Sequence, residues 1–360
     1  VGAAASVAVI DAAGLVPGLA VAVLSFILIG AGVASAGTPL LALLAARVAP
    51  ERRAAAASTV WIMMIAGFVL TTAAAGLLLD PYSPARLLAV SAGVCGLAFL
   101  LASVAVWGVE PRRQPAPPPS AAAEAAPKPA FRDALRQVWA ERDARRFAVF
   151  VFVSMLAYSA QDLIVEPFGG AVFALSLGET TRLASVQHTG VLLGMVAVAL
   201  AGSMRAADRG ARLRRLTVGG CVGAALAVLG LAALGLAAEA RPLFAACFAV
   251  GLGDGVFAAG AIASMMHLAG RDGQERSGLR MGVWGAAQAT AFGLGGLAGT
   301  AAVDAARFAL GAPPAAAYAL VFAADALLFL WAAALATRVG RSGAAPAPRS
   351  TAARLGARLA

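Results

Sequence analysis

The stretch Leu216–Ala238, LTVGGCVGAALAVLGLAALGLAA, lies between Arg215 and Glu239 and carries no charge over 23 residues. At about 1.5 Å of rise per residue, a helix of that length covers the roughly 30 Å hydrocarbon core of a bilayer. Similar runs fill the rest of the chain. Asp11 to Arg47 encloses 35 uncharged residues, Arg53 to Asp80 26, Arg86 to Glu110 23, Arg182 to Arg205 22 and Arg280 to Asp304 23. Segments 147–177, 242–270 and 308–337 are as long and apolar but contain acids. Transmembrane strands alternate over only about 10 residues, a pattern absent here. The runs predict nine full helical spans. Val1–Ile10 reads as the end of one more span whose start is missing.

Composition agrees. Of 360 residues, 61% are hydrophobic and 13% charged, against roughly 45–50% and 25% in soluble domains. A soluble enzyme, a disordered chain and a disulfide-built secreted domain are thereby excluded, leaving an all-α polytopic membrane protein surrounded by lipid. Cys95, Cys221 and Cys247 lie far apart in apolar runs without a CxxC spacing, and read as small packing residues.

The net charge of +10 is placed by topology. Loops on one side carry Arg47, Arg52 and Arg53, eight basic residues in 110–146, five in 205–215, three in 271–280 and five from Arg338 onward. The other side carries only Arg86, Arg182, Arg241 and Arg307. The positive-inside rule puts the Arg-rich loops and the C-terminus in the cytoplasm and removes the case for nucleic-acid binding.

The Pro/Ala-rich segment 111–129 marks a linker. Phe131, Leu135, Val138 and Trp139 share one helical face just after it, which fits either a helix lying on the membrane surface or a short solvated one. The predicted organisation is 1–109, the remainder of an N-terminal bundle; 110–146, a cytoplasmic linker; 147–338, a C-terminal six-helix bundle; and 339–360, a cytoplasmic tail. Six spans after a long middle loop match the second half of a major facilitator fold. On that pattern, about two and a half of twelve spans are absent before Val1. The loop GSMRAADRGARLRR, with Gly202, Asp208, Arg209 and Arg212, resembles the facilitator loop motif. There Asp208 and the arginines would brace helix ends. An ordinary positive-inside loop is the plainer alternative.

No phosphate-binding loop, zinc spacing or nucleophile elbow occurs, and no enzymatic activity is predicted. Ionisable groups inside spans carry the information, because lipid makes them costly. Asp162 and Glu166 share a helix face with Tyr158 and Gln161, and Pro167 with Gly169-Gly170 should break the helix after them. At about 1.5 Å per residue from Phe147, Asp162 is roughly 22 Å deep and Glu166 roughly 28 Å, while His188 is roughly 9 Å from the opposite edge at Arg182. His188 has three readings: a hydrogen-bonded partner of Asp162, a ligand to the magnesium of a chlorin, or a packing residue. No other metal site is expected. Asp254, in Gly251-Leu-Gly-Asp-Gly255, lies near mid-membrane. Its glycines, and those of Gly293-Leu-Gly-Gly-Leu-Ala-Gly299, admit a flat ligand or, more simply, another helix. Asp325, in the last span, either faces inward or marks a contact with another protein.

Gln161-Asp-Leu-Ile-Val-Glu-Pro-Phe-Gly-Gly170 resembles the QDxxLEPYGG segment of the PucC/LhaA family, with Phe168 in place of the usual Tyr. Pro81-Tyr-Ser-Pro-Ala-Arg-Leu87, Val60-Trp-Ile-Met-Met-Ile-Ala-Gly67 and Gly278-Leu-Arg-Met-Gly-Val-Trp-Gly-Ala-Ala-Gln-Ala-Thr290 are similar to three further segments of that family, also known as the bacteriochlorophyll delivery family. The resemblance implies a facilitator-fold assembly factor for the LH1 or LH2 antenna in the bacterial inner, intracytoplasmic photosynthetic membrane. Its partners would be antenna α and β polypeptides and the reaction centre, and its cofactor bacteriochlorophyll or a precursor. Tyr158, Gln161, Asp162, Glu166, His188 and Asp254 are then candidates for holding a ligand or coupling ion. Two alternatives stand beside this: a proton-coupled facilitator transporter using Asp162 or Asp254, and a stable structural subunit of a reaction-centre antenna supercomplex.

Overall fold

The computed structural model describes residues 1–48, 53–108, 136, 139–203, 209–269, 274–309 and 311–339. These residues form ten α-helices: α1 (Gly2–Ala13), α2 (Leu15–Arg47), α3 (Arg53–Leu78), α4 (Pro84–Val106), α5 (Arg142–Phe173), α6 (Leu177–Ser203), α7 (Arg209–Ala237), α8 (Leu243–Ala269), α9 (Gln274–Asp304) and α10 (Pro314–Arg338). A π-helical turn, Ala305–Ala309, extends α9. Most of the linker 110–146 and the tail after 339 lie outside the described residues, including Phe131, Leu135 and Val138 of the amphipathic stretch.

Among the described residues, eight helices are long and apolar enough to cross a membrane: α2 to α8 and α10. The chain is thus an all-α polytopic membrane protein. The sequence count was nine, and the difference is α9. Gln288, Thr290 and repeated glycines dilute its apolar character, although its 31 residues exceed the length of a span.

Several boundaries depart from the charge-based ones for physical reasons. α5 starts at Arg142, inside the expected linker, with Asp143 in its first turn. Two contacts from α9 hold that turn: Arg280 pairs with Glu141 at 2.6 Å, and the Trp284 indole N–H donates to the Ala144 carbonyl at 3.2 Å. α5 also runs through Pro167 rather than stopping there, and closes at Ala174 in the left-handed region (φ 55°). The proline removes one backbone bond, but the next residue, Phe168, is fully buried against Phe173, Tyr318 and Phe322, so packing carries the helix onward. At α4, Ser83 caps the first turn by accepting from the Arg86 amide at 3.1 Å, and Pro84 sits where no amide is needed.

Helices α5 to α10 form one bundle. α8 lies between α6 and α7, while α5 packs on α9 and α10, and α10 also on α7. The shared core is aromatic at its centre, with Phe147, Phe150, Phe168, Phe257, Phe322 and Trp284 buried. α3 joins this bundle along α6. The Ser185 hydroxyl donates to the Val69 carbonyl at 3.1 Å, and Ile65 packs with Val191 and Met195. At the end away from the Arg-rich loops, Asp80 accepts from the Ser176 hydroxyl at 2.9 Å and the Gly178 amide at 3.2 Å. Below that seam an apolar cleft of about 150 Å³ opens, lined by Trp61, Ile62, Met195, Val198, Leu213 and Ile262 among others. No residue in the central stretches of α2 and α4 is fully buried within the chain, and most of their apolar side chains are exposed.

Candidate functional site: a polar layer inside the bundle

Helical periodicity decides where the polar group of α8 goes. Residues turn by about 100° each, so Gly251 and Gly255 share one face, Gly253 lies on the reverse and Asp254 falls between them. A Cβ at Gly251 or Gly255 would run into the Gln187 or Val191 carbonyl of α6, and one at Gly253 into the Ala224 amide of α7. The glycines therefore serve close helix packing on two sides. Asp254 is left facing α5, where the Gln161 side-chain amide donates to its Oδ2. Both residues are completely buried. Two glycines of α9 do the same work: Gly295 and Gly299 sit against the Leu156 and Ala160 carbonyls of α5, and Ser159 donates to the Phe292 carbonyl at 2.8 Å, whereas a Cβ at Gly293 would meet nothing within 4 Å.

Asp325 faces inward, not toward a partner protein. It is 2% exposed because α10 is packed on both α5 and α7, and it lies within electrostatic reach of Asp254. On α5, Asp162 is a neighbour of Asp254, and Glu166, one turn on, is a neighbour of Asp162; both are half-buried. Tyr158 stands between them and the aromatic core, with ring centroids 5.7 Å from Phe292 and 6.4 Å from Phe257.

His188 lies beside Asp162, close enough for their charges to interact. Its Nδ1 is 2.8 Å from the Ala184 carbonyl of its own helix. A carbonyl only accepts, so Nδ1 carries the hydrogen, and a neutral ring has its lone pair on Nε2. A hydrogen bond to Asp162, one of the three readings, is not formed among the described residues, where the Nδ1 hydrogen goes to Ala184 within α6. Phe68 of α3 meets the ring edge-on at 5.5 Å.

These groups form a layer. Asp162 is eleven residues from Phe173, His188 eleven from Leu177, Asp254 eleven from Leu243 and Asp325 eleven from Pro314, each counted from the helix end opposite the Arg-rich loops. Eleven residues are about 16 Å. α6 begins five residues before Arg182 and holds Glu179 and Arg182 in its first turns. Among the described residues no group of three or more His, Cys, Asp or Glu side chains is placed to hold a metal ion.

In the loop motif, α6 runs through Gly202 to Ser203 and α7 starts at Arg209. Asp208 lies outside the described residues. Arg212 does brace a helix end, donating from Nη1 to the Ala201 carbonyl at 3.0 Å, where a cation complements the C-terminal dipole.

The profile of the PUCC protein family matches residues 4–344. The chain belongs to that family. Among its relatives is a Rhodobacter capsulatus protein named bacteriochlorophyll synthase 44.5 kDa chain, 47% identical over 331 residues that cover 92% of this chain and 74% of that one. A second R. capsulatus protein, from the puhA-bchM intergenic region, is 31% identical over 88% of this chain and 66% of its own length. The protein PucC of R. capsulatus is 30% identical over 91% and 69%. This PUCC-family chain thus spans about two thirds to three quarters of these relatives.

Proposed function

We propose that this PUCC-family chain is a non-enzymatic assembly factor for light-harvesting antenna complexes, which holds bacteriochlorophyll or a precursor while antenna polypeptides are put together. The observation that carries this reading is the 47% identity to a relative named for bacteriochlorophyll synthesis. The side chains fit the pigment at one position. His188, with Nδ1 committed to Ala184, offers Nε2 to a magnesium ion, and Phe68 supplies an aromatic edge beside it. When bound, the tetrapyrrole supplies the light-absorbing group; His188 would orient it and the apolar cleft along α3 and α6 would take hydrocarbon. Antenna α and β polypeptides or the reaction centre are the partners in this reading, LH1 or LH2 being the client.

In this reading the chain lies in the inner, intracytoplasmic photosynthetic membrane, its Arg-rich loops in the cytoplasm, and α5 to α10 are the second half of a major facilitator fold. The test is purification in mild detergent, a near-infrared absorption spectrum and peptide mass analysis of the same sample. Bound bacteriochlorophyll with substoichiometric antenna polypeptides is expected; stoichiometric polypeptides would make the chain a structural subunit. A colourless protein without antenna partners overturns the proposal. Proton-coupled transport is the second reading, favoured by the burial of Asp254 and Asp325 in the bundle.

A further inference from the structure

Four buried oxygens in the centre of the bundle lack a hydrogen-bond partner among the described residues: Gln161 Oε1, Asp254 Oδ1 and both carboxyl oxygens of Asp325. Gln161 and Asp254 are 0% exposed and Asp325 2%. All four are acceptors. The Gln161 amide has already given a hydrogen to Asp254 Oδ2, and turning the amide over would set Oε1 against that oxygen, two acceptors with no hydrogen between them. Among the described residues, the titratable groups facing Asp254 are Asp162 and Tyr158 from α5, Cys221 from α7 and Asp325 from α10, and none is basic. The nearest base among the described residues, His188 on α6, lies beside Asp162.

Two ionised carboxylates in such a place would repel each other with no cation between them, each also bearing the cost of leaving water. No metal-holding group of side chains exists there among the described residues. What the oxygens lack is hydrogen.

We propose that Asp254, Asp325 and Gln161 form a proton-binding site, in which each aspartate takes one proton from the aqueous phase. The proton adds to a carboxylate oxygen, on Asp254 the one that Gln161 does not engage, an O–H bond forms and the charge is cancelled without any electron transfer. Glu166 and Asp162, half-buried and each within reach of the next carboxyl, are the path by which protons arrive from the side away from the Arg-rich loops. The ligand is hydrogen ion, and the site stands whether or not pigment is bound.

Infrared spectroscopy of the full chain in lipid nanodiscs tests this. Carboxyl-13C aspartate labelling, in mildly alkaline buffer, separates protonated aspartate C=O bands from those of glutamate without any substitution. Label-shifted bands above the amide region are expected in the native chain. Asp254→Asn and Asp325→Asn should each remove one component, and Asp162→Asn should leave both but slow their shift in D2O. Absence of protonated aspartate bands in the native chain would overturn the site. So would bands that survive both substitutions in protein of native helicity, or bands that vanish when sodium replaces choline at fixed pH, which would make an alkali cation the ligand. The labelled native chain gives an answer even where a variant does not fold.

Discussion

Trp284 of α9 reaches across to the first turn of α5 and donates its indole hydrogen to the Ala144 carbonyl, one turn after Arg280 of the same helix pairs with Glu141. Arg280 and Trp284 are four apart, so they share a face and grip two points of one helix start. Both are buried, at 6% and 1% exposure. Trp284→Phe should lose about 1 kcal/mol, the worth of one hydrogen bond, whereas Trp284→Ala, which also empties the space beside Phe147, should lose on the order of 3 kcal/mol. Unfolding in mixed micelles with increasing SDS measures both, and equal losses would show that the indole N–H is idle.

Glu141→Gln at the same latch removes the charge that faces a nearly buried guanidinium. Glu141 itself is about one third exposed, so the loss should be about 1–2 kcal/mol, below that of a fully buried pair. Added salt should leave it nearly unchanged if burial shields the contact. A loss that disappears in high salt would assign the pair to the surface.

Two adjacent glycines of α7 should behave oppositely. A Cβ at Gly220 would meet the Phe257 backbone of α8, and one at Gly219 meets nothing within 4 Å. Gly220→Ala should destabilise by about 1–3 kcal/mol through overpacking, while Gly219→Ala should be neutral or stabilising by up to about 1 kcal/mol through helix propensity. Similar behaviour of the two in SDS titration would refute the α7–α8 register.

Pro167 is tolerated, not required, by the packing of α5. Pro167→Ala returns an amide to the Leu163 carbonyl and should stabilise the chain by about 1–3 kcal/mol. A net loss of stability would mean that the freed carbonyl has another use.

Asp80 ties the end of α3 to the α5–α6 turn through Ser176 and Gly178. Asp80→Ala should cost about 1–2 kcal/mol for two partly exposed bonds, with Asp80→Asn intermediate because one acceptor remains. A disulfide engineered between α3 and α6 should restore the Asp80→Ala variant. Failure to restore it would place the effect elsewhere.

The helices were legible in the sequence because charge is expelled from lipid, so Arg215 and Glu239 bracket α7 to within six residues at one end and two at the other. Asp162, Glu166, Asp254 and His188 stood out for the same reason. Their arrangement was not legible. Gln161 and Asp254 are 93 residues apart, and only the packing of α8 on α6 and α7 turns Asp254 toward α5. The inward turn of Asp325 depends likewise on α10 packing against two helices at once. Pro167 does not break the helix because a buried Phe168 outweighs one missing backbone bond. The latch of Arg280 and Trp284 did have a signal, an arginine and an aromatic residue one turn apart where a span begins, but their partners on α5 lay beyond it.

Asp162, His188, Asp254 and Asp325 all lie eleven residues from their helix ends on one side, so with those ends at one face of a bilayer they would sit at a common electrical distance across it. A unit charge that crosses the entire bilayer does work of about 2.3 kcal/mol per 100 mV. A charge that hops between members of this layer stays on one equipotential surface and does almost none. The transmembrane voltage therefore acts on arrival at the layer and on departure from it, but is blind to exchange within it.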